Sequence, residues 1–266
     1  MCRHLENINN DFSNLTIAQI KLQFMQAKMD SIPALLEKYK SDERSGVKNI
    51  CRQYSSKYEE YQKELRRIDS MKIYERKYSD YTYICGIDEA GRGPLAGPVV
   101  AGAVILEIDT YIENLMDSKL LSEKKREKVY KEITSKALDY AFDVVDEKYI
   151  DKYNILNATR FAMKMAIEKL KIKPEYVLVD ALEIPGIDIP QEGVIKGDQL
   201  CACIAAASIV AKVQRDSIMS IYDNIYPQYR FKQNKGYGTR EHINSIKKYG
   251  FCPIHRRSFS IKGLQM

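Results

Sequence analysis

The sequence predicts an α/β fold, a mixed β-sheet flanked by helices, preceded by a small α-helical domain. Three observations carry that prediction. From Tyr83 onward, short β-branched apolar runs alternate with helical patterns. The first two runs are joined by a loop dense in glycine and proline, while later runs follow helices, so paired and crossover strands should share one sheet. The first ~75 residues, by contrast, hold one glycine (Gly46) and one proline (Pro33) and are rich in Lys, Glu, Gln and Tyr at helical spacing.

The first domain is taken as residues 1–75. Ile17, Ile20, Leu22 and Phe24 begin one helical stretch, and Pro33 suits a first helical turn followed by Leu35 and Leu36. Asp42 to Ser45, with Gly46, reads as a break. A long charged helix from about Val47 to Ile73 follows, with Tyr54, Tyr58 and Tyr61 at helical spacing; its mixed charge is most simply a solvated face.

Residues 76–266 form the second domain. Tyr83–Ile87 and Val99–Leu106 read as a hairpin or an adjacent strand pair. Ser122–Leu138 is an amphipathic helix with Ser122 and Glu123 at its start, and Tyr140–Val145 is a strand. Ile155–Leu170 is a helix with apolar positions at 156, 163, 167 and 170. Tyr176–Val179 is a short buried strand closing on Asp180, and Gly193–Ile195 is a further strand candidate. Leu200–Ile221 is a helix whose first half, CACIAAASIVA, is almost wholly apolar; it should be buried on most sides, its alanines allowing close approach to a neighbour. A shorter helix spans Arg240–Tyr249.

Composition narrows the function classes. At 266 residues, 45% hydrophobic and 29% charged, the chain has the profile of a soluble globular protein, and a net charge of +6 permits an anionic partner. The six cysteines include no C-x-x-C pair, and Cys85, Cys201 and Cys203 lie in apolar surroundings, so small buried hydrophobes are expected rather than disulfides or zinc ligands. Three histidines argue against a His-rich metal site. MCRHLENINN does not read as a signal peptide, and no apolar run approaches the roughly 20 residues of a membrane span, which makes the reducing cytoplasm the expected compartment.

Four acids stand out by position. Asp88 and Glu89 end the first strand, Asp180 ends YVLVD, and Asp198 sits in VIKGDQL before the buried helix. Strand ends of an α/β sheet are where loops gather polar groups. Carboxylates converging there could stay ionised only against a counter-charge. Oxygen ligands without His or Cys suit Mg²⁺ or Mn²⁺, and two such ions can activate water and stabilise a leaving oxygen in phosphodiester cleavage. Blander readings stand beside these: Asp198 as an N-cap, Asp180 as a turn residue, Asp88 and Glu89 as solvated strand-end charges. Asp216, beside Arg215, reads as an ion-pair or surface residue, and Ser208 as a small packing residue. If Asp88 and Glu89 serve one cluster, the strand must end or bulge there, since consecutive side chains point to opposite faces. Gly91 and Gly93 would permit that. No G-K-[ST] follows and no G-x-G-x-x-G opens a helix, so the glycines are expected to let backbone amides approach a polar ligand, with Arg92 nearby.

At these residues the chain resembles a known family. GIDEAGRGPLAGPVVAGAVIL (86–106) is similar to the signature of bacterial ribonuclease HII, of the RNase H-like superfamily. DSKLLSEKKRE (117–127), YNILNATRFAM (153–163), VLVD (177–180), IKGDQ (195–199), AAASIVAKVQRD (205–216), YPQYRFKQNKGYGT (226–239) and PIHRRSF (253–259) follow in the expected order. The resemblance covers about residues 82–260 and implies an RNase H fold. It implies an endonuclease dependent on Mn²⁺ or Mg²⁺, with two metal ions, that cuts RNA paired to DNA. It also implies cleavage on the 5′ side of a ribonucleotide embedded in duplex DNA, leaving 3′-hydroxyl and 5′-phosphate ends, the first step of removing misincorporated ribonucleotides. The family's metal-site carboxylates fall on Asp88, Glu89, Asp180 and Asp198. Its 2′-hydroxyl-reading element falls on Gly91, Arg92 and Gly93, and its junction-sensing tyrosine on Tyr237. Lys119, Lys196 and Lys235 could contact phosphates. The N-terminal helical region, present in some members from Gram-positive bacteria, is expected to contact duplex substrate. The partners expected are nucleic acids, with no membrane association and a monomeric state. Two other classes remain: a non-catalytic RNA–DNA hybrid binder, which would need the basic surface but not the acids, and a nucleotide-binding enzyme using the glycine loop, against which the missing lysine counts.

Overall fold

The computed structural model describes residues 15–260. The chain divides into two compact units, Met1–Arg67 and Ile68–Met266.

In the first unit, α1 (Ile17–Gln26) opens on a capping box: the Thr16 hydroxyl accepts from the Gln19 N–H, and the Gln19 side chain accepts from the Thr16 N–H. Helix α2 (Ile32–Lys38) carries Pro33 in its first turn, where no N–H is missed. Helix α3 (Ser45–Ser70) follows, starting two residues before Val47, with Gly46 inside its first turn. Ile20, Phe24, Ile32, Tyr39, Val47 and Ile50 form the core of this unit. Tyr54 and Tyr58 pack against that core, Tyr54 with its ring 4.8 Å from Phe24. The helix expected to reach Ile73 stops at Ser70. A separate α4 (Ile73–Lys77) belongs to the second unit, where its Glu75 is buried and accepts from the Cys203 N–H at 2.9 Å.

The second unit is a five-stranded sheet in the order β3-β2-β1-β4-β5, made of β1 (Ile84–Ala90), β2 (Val99–Ile105), β3 (Asp139–Val145), β4 (Tyr176–Asp180) and β5 (Gln191–Val194). Strands β1, β2 and β3 pair antiparallel, and β4 and β5 add parallel to β1, so the sheet is mixed. Between β2 and β3 lies α5 (Glu123–Lys136), capped by Ser122. Helix α6 (Glu147–Glu168) turns at Asn154, whose φ is +67° and whose side chain accepts from the Asn157 N–H at 3.0 Å. The helix expected from Ile155 is therefore real, with a shorter capped helix joined before it.

Residues 85 and 87 of β1 pack with α6 in one core, while Ile84 packs with Cys203 and Ile204 in another. The apolar helix expected over Leu200–Ile221 is two elements, α7 (Gly197–Leu200) and α8 (Ala202–Ile225). Helix α8 lies so close to the sheet that a Cβ on Gly86 would stand 2.1 Å from the Cys203 carbonyl carbon. The alanines of α8 and a bare strand residue thus meet backbone to backbone. The C-terminal end holds α10 (Arg240–Tyr249), after α9 (Phe231–Asn234). Cys51, Cys85, Cys201, Cys203 and Cys252 are free thiols; Cys2 lies outside the described residues. No helix among the described residues is long and apolar enough to cross a membrane.

His242 and His255 are fully buried near Tyr229, Phe231 and Phe251. Burial, and then the neighbouring His242, depresses His255 to about 4, and burial depresses His242 as well. At His255 the unfolded chain binds a proton below about pH 6.5, whereas the native imidazole resists until about pH 4, and burial shifts His242 in the same direction. Their contribution to stability is therefore present above pH 6.5 and drains away as pH falls through that window. Imidazole ¹⁵N spectra at about pH 5.5, one unit below the ordinary histidine value, should still show His255 neutral; a dominant imidazolium signal there would contradict this.

Candidate active site

The acids gather where β1 and β4 end. Ile87 pairs with Val179 in parallel register, so Asp88 and Asp180, one residue further on each strand, stand side by side on one face. That face is the one covered by α8, whose Ser208 hydroxyl lies beside Asp88 and favours its charged form. Ser208 also lies 3.0 Å from the Ser118 hydroxyl, so it is a polar link rather than the packing residue its apolar neighbours suggest. Asp180 accepts from the Gly197 N–H at 2.8 Å, the first residue of α7. Asp198 is buried in that same short helix. It does not cap α8, whose N-cap residue is Cys201 and whose Cys203 N–H goes to Glu75.

Strand β1 runs through the paired acids without a bulge and ends one residue later, at Ala90. Asp88 pairs with Gly102, Glu89 with Ala101 and Ala90 with Val100 in unbroken register. The two carboxylates therefore leave the strand on opposite faces, and what joins them is the field at the strand end. Burial raises the Asp88 carboxyl well above its ordinary value, and the charges of Glu89 and Asp180 push it further. Glu89 is raised by burial, against the pull of Arg92 and with the push of Asp180. Asp198 is raised by burial and then by Asp117 and Asp180.

Asp117 is an acid beside the cluster that the sequence reading did not single out. It is buried, stands close enough to Asp198 to raise that carboxyl, and accepts from the Lys119 N–H at 3.0 Å. Its local signal is the D-S-K triplet, Asp117 to Lys119. The Lys119 side chain is largely exposed, with Nζ 3.7 Å from Asp198. Desolvation lowers its pKa, but Asp117, Asp198, Asp88 and Asp180 together outweigh that and raise it. Lys196 is exposed in a left-handed conformation and pairs with no carboxylate among the described residues. Asp216 bonds to Lys212 at 2.7 Å and Arg126 at 3.1 Å, away from the acids.

Among the described residues, no three His, Cys, Asp or Glu side chains enclose a metal position as they are placed. The donor chemistry nonetheless fits a hard divalent cation. All candidate donors are carboxylate oxygens, they repel one another, and Glu89 Oε2 is buried without a hydrogen-bond partner. Such an orphaned, charge-crowded oxygen is stabilised by a cation.

Beside the acids, the loop after β1 is held by two buried arginines. Arg256 donates to the carbonyls of Gly91 at 2.6 Å, Arg92 at 2.9 Å and Gly97 at 2.9 Å. Arg215 donates to Pro98 at 3.0 Å, Ala96 at 3.2 Å and Lys235 at 2.9 Å. Burial lowers them to about 9 and about 10. Leu95 N–H donates to the Gly236 carbonyl at 2.8 Å, binding the same loop to the turn that carries Tyr237. Gly91, at φ +101°, has Arg215 Nε only 2.1 Å from where a Cβ would sit. Gly93 differs: its φ is not in the left-handed region, and among the described residues, its two chain neighbours aside, nothing comes nearer to its absent Cβ than Tyr237 Cε1, at 3.7 Å. The fold demands glycine at 91, and the space at 93 is left to something else. Tyr237 is half-exposed, and Arg92 reaches back to Glu89 at 3.4 Å.

A family model described as Ribonuclease HII matches residues 85–262, and one described as Ribonuclease HII N-terminal domain matches residues 16–79. The ribonuclease HII of Clostridioides difficile (strain 630) is 49% identical over 246 residues, 92% of this chain and 96% of that protein. That of Acetivibrio thermocellus is 49% identical over 249 residues, 93% of this chain and 97% of that protein. Among solved structures, the ribonuclease H2 from Pyrococcus horikoshii OT3 has a TM-score of 0.57 and 28% identity, covering 66% of this chain and 93% of its own. Acids crowded at the ends of neighbouring strands, a glycine loop beside them and near full-length relatives agree: the chain belongs to the ribonuclease HII family and is a type 2 ribonuclease H.

Proposed function

We propose that this endonuclease hydrolyses the RNA strand of RNA–DNA hybrids and cuts on the 5′ side of ribonucleotides embedded in duplex DNA, leaving 3′-hydroxyl and 5′-phosphate ends. The observation that carries this reading is the adjacency of the crowded carboxylates to the glycine loop that Tyr237 borders. Asp88, Glu89, Asp180 and Asp198 would hold Mn²⁺ or Mg²⁺, two ions in the full site. Bound there, the ions supply water activation and neutralise charge on the scissile phosphate and the leaving 3′ oxygen. Asp117 orients Lys119, whose exposed ammonium meets a phosphate oxygen, and Lys196 lies on the exposed rim to do the same. Gly93 leaves room for a ribose edge, and the main chain of Gly91, Arg92 and Gly93 reads the 2′-hydroxyl that separates RNA from DNA. Tyr237 packs on the sugar at the RNA–DNA junction.

In this reading the first unit is an accessory contact to the duplex. Its lysines support that role; Tyr54 and Tyr58 are engaged in the unit's own packing and contribute stability instead. The enzyme would work as a cytoplasmic monomer that removes misincorporated ribonucleotides.

Asp88→Asn removes a repelling charge from a buried site without changing size. In EDTA its Tm should rise by about 2–4 °C, the shift of about 1 kcal/mol for a chain of this length. Its cleavage of duplex DNA containing one ribonucleotide should fall at least about a hundredfold in Mn²⁺; substantial remaining activity sinks the assignment of the acids. Two glycines separate fold from recognition. Gly91→Ala should lose more than about 2 kcal/mol in urea denaturation. Gly93→Ala should stay within about 0.5 kcal/mol of the parent yet cleave the embedded ribonucleotide poorly; a fully active, stable Gly93→Ala protein would remove the ribose-reading role. A chain shortened to residues 68–266 should bind duplex more weakly, with a shallower dependence of log K on log salt. Unchanged affinity across salt concentrations would assign the first unit to something other than substrate.

A further inference from the structure

Beneath the Tyr237 turn lies a directional hydrogen-bond chain through two imidazoles. His255 Nδ1 accepts from the Cys252 N–H at 2.9 Å, a shorter contact than its 3.3 Å to the Cys252 carbonyl. A neutral imidazole has one donor and one acceptor nitrogen, so the His255 proton sits on Nε2. That atom is 3.0 Å from His242 Nε2, a contact that requires one proton between two nitrogens and makes His242 the acceptor. The His242 proton is therefore on Nδ1, which donates to the Tyr237 carbonyl at 2.9 Å. Each tautomer is set by its neighbour, and the chain ends on the one residue of the turn whose ring borders Gly93.

The surroundings keep the pair neutral. Tyr229 and Phe251 stand with ring centroids 4.9 and 5.3 Å from His255, and Phe231 5.4 Å from His242. The Cys252 sulfur is 3.0 Å from His255 Nδ1, and Arg257, stacked on Phe251 at 4.6 Å, disfavours an imidazolium. Thr239, the N-cap of α10, donates its N–H to the same Tyr237 carbonyl at 2.8 Å, so the carbonyl is gripped from two sides.

We propose that His242, oriented by His255, is a positioning residue for substrate recognition: it holds the Tyr237 peptide so that the ring stays against the Gly93 space. The proposal rests on the reading of Tyr237 as a substrate contact.

Asparagine and glutamine separate the two ends of the His242 ring. His242→Asn places an amide donor near the Nδ1 position and keeps the bond to Tyr237. His242→Gln reaches the Nε2 position, keeps a partner for His255 and leaves the Tyr237 carbonyl without its imidazole donor. The full chain is assayed in Mn²⁺ on duplex DNA containing one ribonucleotide, with Tm measured for every variant so that only folded proteins are compared. His242→Gln should raise KM about fivefold, the effect of one hydrogen bond, with kcat little changed, and His242→Asn should restore KM. In a Tyr237→Ala background, His242→Gln should raise KM no further. Equal KM values for the Asn and Gln proteins, or a Gln effect that persists in full without the Tyr237 ring, overturn the proposal alone. A Tyr237→Ala protein with native KM instead removes the reading of Tyr237 as a substrate contact, and the proposal with it.

Discussion

The second unit depends on burying two guanidinium groups, neither of which forms an ion pair among the described residues. Arg215 and Arg256 are sealed from solvent, and their guanidinium groups donate to six main-chain carbonyls. Desolvating an arginine is costly, and the cost is offset only because the planar fork presents its donors to carbonyls that would otherwise be buried and unpaired. Each arginine therefore selects a single path for the chain around it. Gly91 takes φ +101° because Arg215 occupies the space a side chain would need. The loop after β1, the Lys235–Tyr237 turn and the segment through Arg256 become one body, further joined by the Gly97 N–H to the Ile254 carbonyl at 2.8 Å.

That rigidity matters because the acids beside the loop are not at rest. Asp88, Glu89 and Asp198 are each held above the ordinary carboxylate range by burial and by neighbouring acids. Left alone, such a cluster would spread or take up protons. Its partial relief comes from Ser208 on Asp88, the Gly197 N–H on Asp180, Arg92 on Glu89 and Lys119 on Asp198. Crowding like charges in a buried site costs stability, the familiar opposition between a stable fold and a charged site.

Electrostatics and shape divide the work between the two ends of one short loop. Asp88 and Glu89 lie on a strand whose register is regular to Ala90, so the acids are placed with strand precision. Gly91 to Gly93 lie on a loop whose shape is imposed by Arg215 and Arg256, residues distant in the chain. The His242–His255 pair extends this support to Tyr237 from the opposite side.

Much of this was legible in the residues. The β-branched runs, the apolar alanine helix and the helical N-terminal region follow from periodicity, which reports which face of an element is buried. The four acids were legible because each ends or follows a strand. The rest depends on groups far apart in sequence. Nothing local marks Arg215 as a buried clamp: beside Asp216 it reads as half of an ion pair, yet successive helix positions point about 100° apart, and only packing sends Arg215 inward to Pro98 while Asp216 turns to Arg126. Ser208 reads as filler until Asp88 and Ser118 arrive against it. Gly91 and Gly93 look alike in sequence and differ in what surrounds them, one filled by an arginine and the other open beside a tyrosine. The sequence by itself determined the elements and the chemical types at the site, because periodicity and side-chain chemistry are local. Which groups meet, and which of two identical residues the fold requires, was decided by the tertiary structure, because burial and hydrogen-bond partners exist only once distant segments pack.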